Sequence, residues 1–222
     1  MMFIEAYKKA FGVLTKKPIM LWGLSLLSVV ITSVASFFSI GFLPLGIAFS
    51  FLITCGMSKV YLDGLEGKAV NADQLFSCCN KGFLRVAGGM AWMTLWILIW
   101  GLVPIVGPIC ALVKSYSYRF VPYILITKPE VSATQALRMS KEMTNGIKGQ
   151  MFLADLALYA IIFLVSLVLT LFAAIPVIGV LFALVLLAFT IVVMALSSVF
   201  VGLYQASFYM EKVKADAPAV TE

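Results

Sequence analysis

Three charged side chains stand inside apolar sequence, where none can be left without a partner or a route to water. The stretch Lys114-Ser-Tyr-Ser-Tyr-Arg119-Phe-Val-Pro-Tyr123 carries a lysine, an arginine and three tyrosines in an otherwise apolar run, and Asp155 is the lone carboxylate of the next run. Charge in hydrocarbon is costly enough to require an ion-pair partner, a cavity or a route to the interface. Arg119 is seven residues from the inner end of its run at Ile126, and Asp155 is six from Gly149. At 1.5 Å per residue these positions are roughly 10 Å and 9 Å deep. The matched depths pair them, and two roles stay open. One is a polar site for an anionic headgroup or a coupled ion, with Lys114, Tyr116, Tyr118, Arg119, Tyr123 and Asp155 as candidates. The other is an ion pair that joins two helices.

Neighbouring residues bear on that choice. Pro122 has no amide hydrogen, so the carbonyl of Tyr118 loses its helical partner, either at an ordinary kink or at a broken helix of the kind that forms transporter sites. Trp92, Trp96 and Trp100 form one stripe, facing either lipid and packed neighbours or the cations Lys114 and Arg119. Lys114 is close enough to the outer turn to snorkel outward. Ser28, Thr32 and Ser36 give the first run a small-residue face suited to close helix packing.

Much chemistry is excluded. The chain has no histidine, and so lacks the side chain most used for proton transfer near neutral pH and for zinc or haem ligation. It has no phosphate-binding glycine loop, dinucleotide fingerprint, nucleophile elbow or suitably spaced carboxylate pair. Cys55, Cys78, Cys79 and Cys110 show no metal spacing and no disulfide framework. No enzyme activity, cofactor or metal is expected.

The elements that must position these residues are six apolar runs: Pro18 to Ile40, Leu43 to Leu62, Val86 to Val103, Ile109 to Ile126, Met151 to Ala173 and Val177 to Tyr204. Each is long enough for a hydrocarbon core of about 30 Å. With 63% hydrophobic and 12% charged residues, the chain could not build a water-facing surface. The turns Gly41 to Pro44, Pro104 to Pro108 and Ala174 to Gly179 carry no charge, whereas the other connections hold nearly all the Lys and Arg that make the net charge +6. This asymmetry places the charged loops and both termini in the cytoplasm, and the excess charge needs no nucleic acid to explain it.

Each uncharged turn is rich in Pro and Gly, and each pair of runs follows an amphipathic segment. Their apolar faces are Phe3, Tyr7, Ala10, Phe11 and Leu14; Ala72, Leu75, Phe76, Cys79 and Phe83; and Ala136, Met139, Met143 and Ile147. Asn71 with Gln74, and Ser132 with Gln135, have capping-box spacing. The expected fold is an all-α bundle of six transmembrane helices as three hairpins, residues 1–210, with interfacial helices on the inner leaflet and a tail at 211–222. The module recurs every 60 to 70 residues or so, as three diverged copies.

The stretch from Lys114 to Leu156 resembles a bacterial membrane-protein family catalogued as domain of unknown function 975. The matching residues are Lys114-Ser-Tyr-Ser-Tyr118, Tyr123-Ile-Leu125, Pro129, Ser132, Ala136-Leu137, Ser140, Met143, Gly146, Lys148, Phe152 and Leu153. The likeness extends loosely to the membrane-anchoring domain found beside glycerophosphodiester phosphodiesterases. The resemblance implies a bacterial cytoplasmic-membrane protein and supplies no activity. The expected function is non-enzymatic, as an accessory, scaffold or lipid-interacting protein, with a small transporter or channel as the alternative. Expected partners are membrane lipids with anionic headgroups, and a membrane protein or a second copy of the chain.

Overall fold

The structure, a computed structural model, describes residues 2–16, 18–38, 43–80, 82–175 and 178–216. Among them every regular element is helical: α1 (Met2–Lys16), α2 (Pro18–Phe38), α3 (Leu43–Leu65), a 3₁₀ turn (Ala72–Gln74), α4 (Ser77–Asn80), α5 (Phe83–Gly101), α6 (Gly107–Ser117), α7 (Val121–Thr127), α8 (Ala133–Met143), α9 (Lys148–Ala173) and α10 (Gly179–Asp216). Gly41, Phe42, Lys81, Pro176 and Val177, and the side chains of Phe3, Ser36 and Cys79, lie outside the described residues.

Among the described residues four helices, α3, α5, α9 and α10, are long and apolar enough to cross a membrane, which is compatible with a multi-pass membrane protein. A fifth is added if Ile4–Lys16 and Ile19–Val34, bent by 99° where α1 meets α2, count as one span. The sequence suggests six, and the clearest departure is the fourth run, which is not one helix. It divides into α6 and α7 at a turn over residues 118–120.

The break follows from Pro122. Its ring cannot continue a helix begun upstream, but it fits the first turn of a new one, and there it stands in α7. The Tyr118 carbonyl, deprived of a partner at Pro122, accepts instead from the Val121 amide at 3.1 Å. The groups freed one turn earlier are taken up by α8. Phe120 N–H donates to Ser140 Oγ at 3.2 Å, Ser140 Oγ–H donates to the Ser117 carbonyl at 2.8 Å, and Thr144 Oγ1 lies 3.2 Å from that same carbonyl. At the far end of α7, Arg85 donates to the carbonyls of Leu125 at 2.6 Å and Val131 at 3.3 Å. A seven-residue helix has too few turns to persist alone, and these partners hold it.

The amphipathic segments are only partly as expected. The Ser132/Gln135 capping box is present and starts α8, whose residues Ala136 and Leu137 are buried while Arg138, Lys141 and Glu142 are exposed. The second segment is not one helix. It is a 3₁₀ turn opened by Asn71 N–H donating to Gln74 Oε1, then the short α4. Apolar faces expected against the leaflet pack largely on protein: α8 on α5 and α7, and α1 on α10, with Ala6 and Ala10 fully buried and Phe11 left exposed.

The uncharged turns after α5 and α9 begin and end alike in their described residues. Their caps Leu102 and Ala174 have the same backbone, φ −76° and ψ −10°, and Gly107 and Gly179 donate to the carbonyls of Val103 and Ile175 at 2.8 Å each. A Cβ on Gly107 would overlap the Gly101 carbonyl, and one on Gly179 the Ala173 carbonyl, so each turn requires glycine where the next helix starts. The packed core lies at the opposite, charged end of the molecule. There Val199, Leu203, Tyr204 and Phe208 of α10 are fully buried, whereas Leu181, Leu184 and Ile191 near the uncharged turn are exposed.

Candidate functional site

Arg119 is carried by the turn between α6 and α7, and Asp155 by the second turn of α9. The break in the span aims the guanidinium sideways into the bundle. Arg119 Nη1 donates to Asp155 Oδ2 at 2.5 Å, and the Tyr116 hydroxyl donates to the same oxygen at 2.7 Å. The Arg119 guanidinium also lies over the Tyr116 ring, 4.8 Å from its centroid. With the Gln205 amide turned so that its oxygen faces the arginine, it accepts from Nη2 at 2.8 Å and Nε at 3.0 Å. α6, α7, α9 and α10 therefore meet at one guanidinium.

The two charges differ in surroundings. The Asp155 side chain is 9% exposed, and its Oδ1 has no hydrogen-bond partner among the described residues. The Arg119 side chain is 22% exposed because one face of it borders a cavity of about 270 Å³. The wall of this cavity bears the hydroxyls of Ser28, Thr32, Thr54, Ser58 and Ser198 together with Tyr61, Tyr123 and Gln205. Most of these hydroxyls have spent their protons. Ser28 donates to the Ser25 carbonyl at 2.7 Å, Thr32 to Ser28 at 2.7 Å, Thr54 to Ser50 at 2.9 Å and Ser58 to Thr54 at 3.0 Å. Tyr61 and Tyr123 donate to the carbonyls of Ser198 and Gly202 at 3.4 Å and 3.2 Å. What they offer inward is lone pairs, so the wall is mainly an acceptor surface with Arg119 as its cationic donor.

The structure thus gathers Tyr116, Arg119, Tyr123 and Asp155, and leaves two candidates elsewhere. Lys114 Nζ lies 4.5 Å over the Trp100 ring, a cation–π contact on α5 that occupies one end of the tryptophan stripe, while Trp92 and Trp96 pack edge to face at 5.9 Å. Tyr118 is buried without lining the cavity. Gln205 gives no signal in the sequence, because the sixth run ends at Tyr204 and an uncharged amide just beyond it leaves hydropathy unchanged. The small-residue spacing of Ser28 and Thr32 suggests helix packing, whereas both border the cavity. Gly202 was equally silent, yet a Cβ there would overlap the Tyr61 ring, so its absence lets α3 approach α10 beside the site. No group of residues suited to hold a metal ion occurs among the described residues.

No protein-family model matches this chain, and comparisons with curated proteins and with solved structures likewise find no match.

Proposed function

We propose that this chain is a non-enzymatic, lipid-interacting integral membrane protein, and that the cavity beside Arg119 receives a polar lipid headgroup rich in hydroxyl or amino donors. The observation that carries the reading is the level of the site. Asp155 is 18 residues below the uncharged turn on α9 and Gln205 is 26 residues below it on α10. At 1.5 Å per residue that is about 27 Å and about 39 Å, which brackets the far edge of a core about 30 Å thick. Headgroups sit at that edge, whereas transporter sites of the common folds lie near the midplane. The acceptor-lined wall suits a ligand that donates, and Arg119 suits the phosphate to which such a headgroup is joined.

The remaining sequence expectations belong to the same proposal: six spans in three hairpins, both termini in the cytoplasm, and a bacterial inner membrane, the last supported by the likeness to domain of unknown function 975. Native mass spectrometry of gently extracted protein tests the headgroup reading. The full chain should retain phosphatidylethanolamine or phosphatidylglycerol, and Ser58→Leu, which fills the cavity, should lose it. Equal lipid retention by both would remove the cavity from the proposal.

A small transporter is the second reading, favoured by the break in the fourth span beside an intramembrane charge. Cysteines at Thr54 and Ser198 in a cysteine-free chain separate the two. A transporter exposes them to impermeant thiol reagents from both sides of the membrane, whereas a headgroup site exposes them from the charged side at most.

A further inference from the structure

A second pocket, of about 570 Å³, opens at the charged end between α1, the end of α3 and the end of α10. Two helix faces of the same spacing form it. Lys9, Gly12, Val13 and Lys16 come from α1, and Ser207, Met210, Glu211 and Lys214 from α10, with Leu65 between them. Each set follows the i, i+3, i+4, i+7 pattern of one helical face, so the lysines converge by periodicity. Three lysines against one glutamate give the lining a net charge of +2. Among the described residues none of the three is within ion-pair distance of Glu211.

Solvated surface lysines would be the ordinary explanation, but two further atoms argue against it. Ser207 is 3% exposed, and both its Oγ and Glu211 Oε2 are shielded from solvent with no hydrogen-bond partner among the described residues. A buried polar atom without a partner costs about 1–3 kcal/mol, so a donor and an acceptor left this way beside a cationic pocket point to a ligand that pairs with them. Gly12 adds space, since a Cβ there meets nothing within 4 Å.

We propose that this pocket binds a phosphate ester that also carries a hydroxyl or amino group. The phosphate oxygens accept from the ammonium groups of Lys9, Lys16 and Lys214 and from the Ser207 hydroxyl, and the ester's own donor pairs with Glu211 Oε2. A phosphomonoester dianion would neutralise the lining, and a phosphodiester headgroup would halve its charge. The site is independent of the Arg119 cavity.

The test uses the full purified chain in phosphatidylcholine nanodiscs, titrated calorimetrically with glycerol 3-phosphate and, separately, with short-chain phosphatidylglycerol. Saturable binding of the first identifies a soluble ester, and of the second alone, where the lysine substitutions below weaken it, a lipid headgroup; either supports the site. Lys16→Gln with Lys214→Gln should weaken binding at least tenfold. Gly12→Leu, which fills the space without changing charge, should abolish it. Lys128→Gln with Lys141→Gln, the same charge loss elsewhere, should leave it within twofold. Thermal unfolding of each variant confirms that it is folded. Binding of neither probe, normal binding by Gly12→Leu, or equal weakening by the control pair overturns the proposal. Phosphatidylglycerol binding that survives both Lys16→Gln with Lys214→Gln and Gly12→Leu belongs to the Arg119 cavity and, with no binding of glycerol 3-phosphate, overturns the proposal.

Discussion

At the scale of residues, the two halves of the Arg119–Asp155 pair are unequal, and the inequality can be measured. Asp155 is enclosed and shares Oδ2 between Tyr116 and Arg119, while Arg119 keeps a face on the cavity and a second partner in Gln205. Removing one member of a buried pair costs about 3–5 kcal/mol because the other is left as an uncompensated charge. Arg119→Gln, which strands the enclosed carboxylate, should fall at the upper end of that range. Asp155→Asn, which strands a guanidinium able to face water or ligand, should fall at the lower end. Unfolding titrations in mixed micelles measure both, and the reverse order would mean that the cavity does not hydrate the arginine. The pair was legible in the sequence because a charge in apolar sequence demands a partner and helical rise gives its depth. Gln205 was not, since hydropathy and charge patterns weigh only strongly polar departures and a single amide at a helix margin is not one.

At the scale of elements, caps and turns could be read from sequence, whereas the surfaces against which elements pack could not. The Ser132/Gln135 box and the glycines of the uncharged turns act through local geometry, and local geometry is what neighbouring residues encode. An apolar helical face, by contrast, looks the same whether it meets lipid or protein, which is why α8 was expected on the leaflet and is found bracing the break between α6 and α7. The bracing predicts a non-additive pair of substitutions. In Ser140→Ala, Thr144 still reaches the Ser117 carbonyl, and the orphaned Phe120 amide should cost about 1–3 kcal/mol. In Thr144→Val, Ser140 keeps both of its bonds, and the cost should be under about 1 kcal/mol. Together they leave the amide and the carbonyl both unmet. The double variant should therefore lose more stability than the sum of the singles, and simple additivity in a double-mutant cycle would show that α8 does not supply these bonds in solution.

At the scale of the molecule, α10 decides how the protein would sit in a bilayer. Its 38 residues extend about 57 Å, nearly twice a hydrocarbon core, and its buried surface is at the charged end while its apolar, exposed surface is at the other. The part near the uncharged turn has lipid as its natural solvent, and the part from Val199 onward packs against Tyr7 of α1, Tyr61 of α3 and Tyr123 of α7. Much of the packed core, and both pockets, would then lie at or beyond the inner edge of the membrane. Six apolar runs with lysine-free turns suggested the orientation but not this displacement, because hydropathy reports how long a segment is and not where along it the neighbours stand. Single cysteines in a cysteine-free chain test both. Val106 and Ile178 should react with an impermeant thiol reagent in intact cells, and Lys68 and Lys141 only after permeabilisation. The informative site is Val213, 34 residues along α10 from Gly179 and 41% exposed. If α10 projects by about 20 Å past the core, as its rise requires, a cysteine there should label as readily as one at Lys141 once cells are opened. Protection of Val213 by lipid would put the helix deeper, bring Arg119 toward the midplane, and favour the transporter reading over the headgroup one.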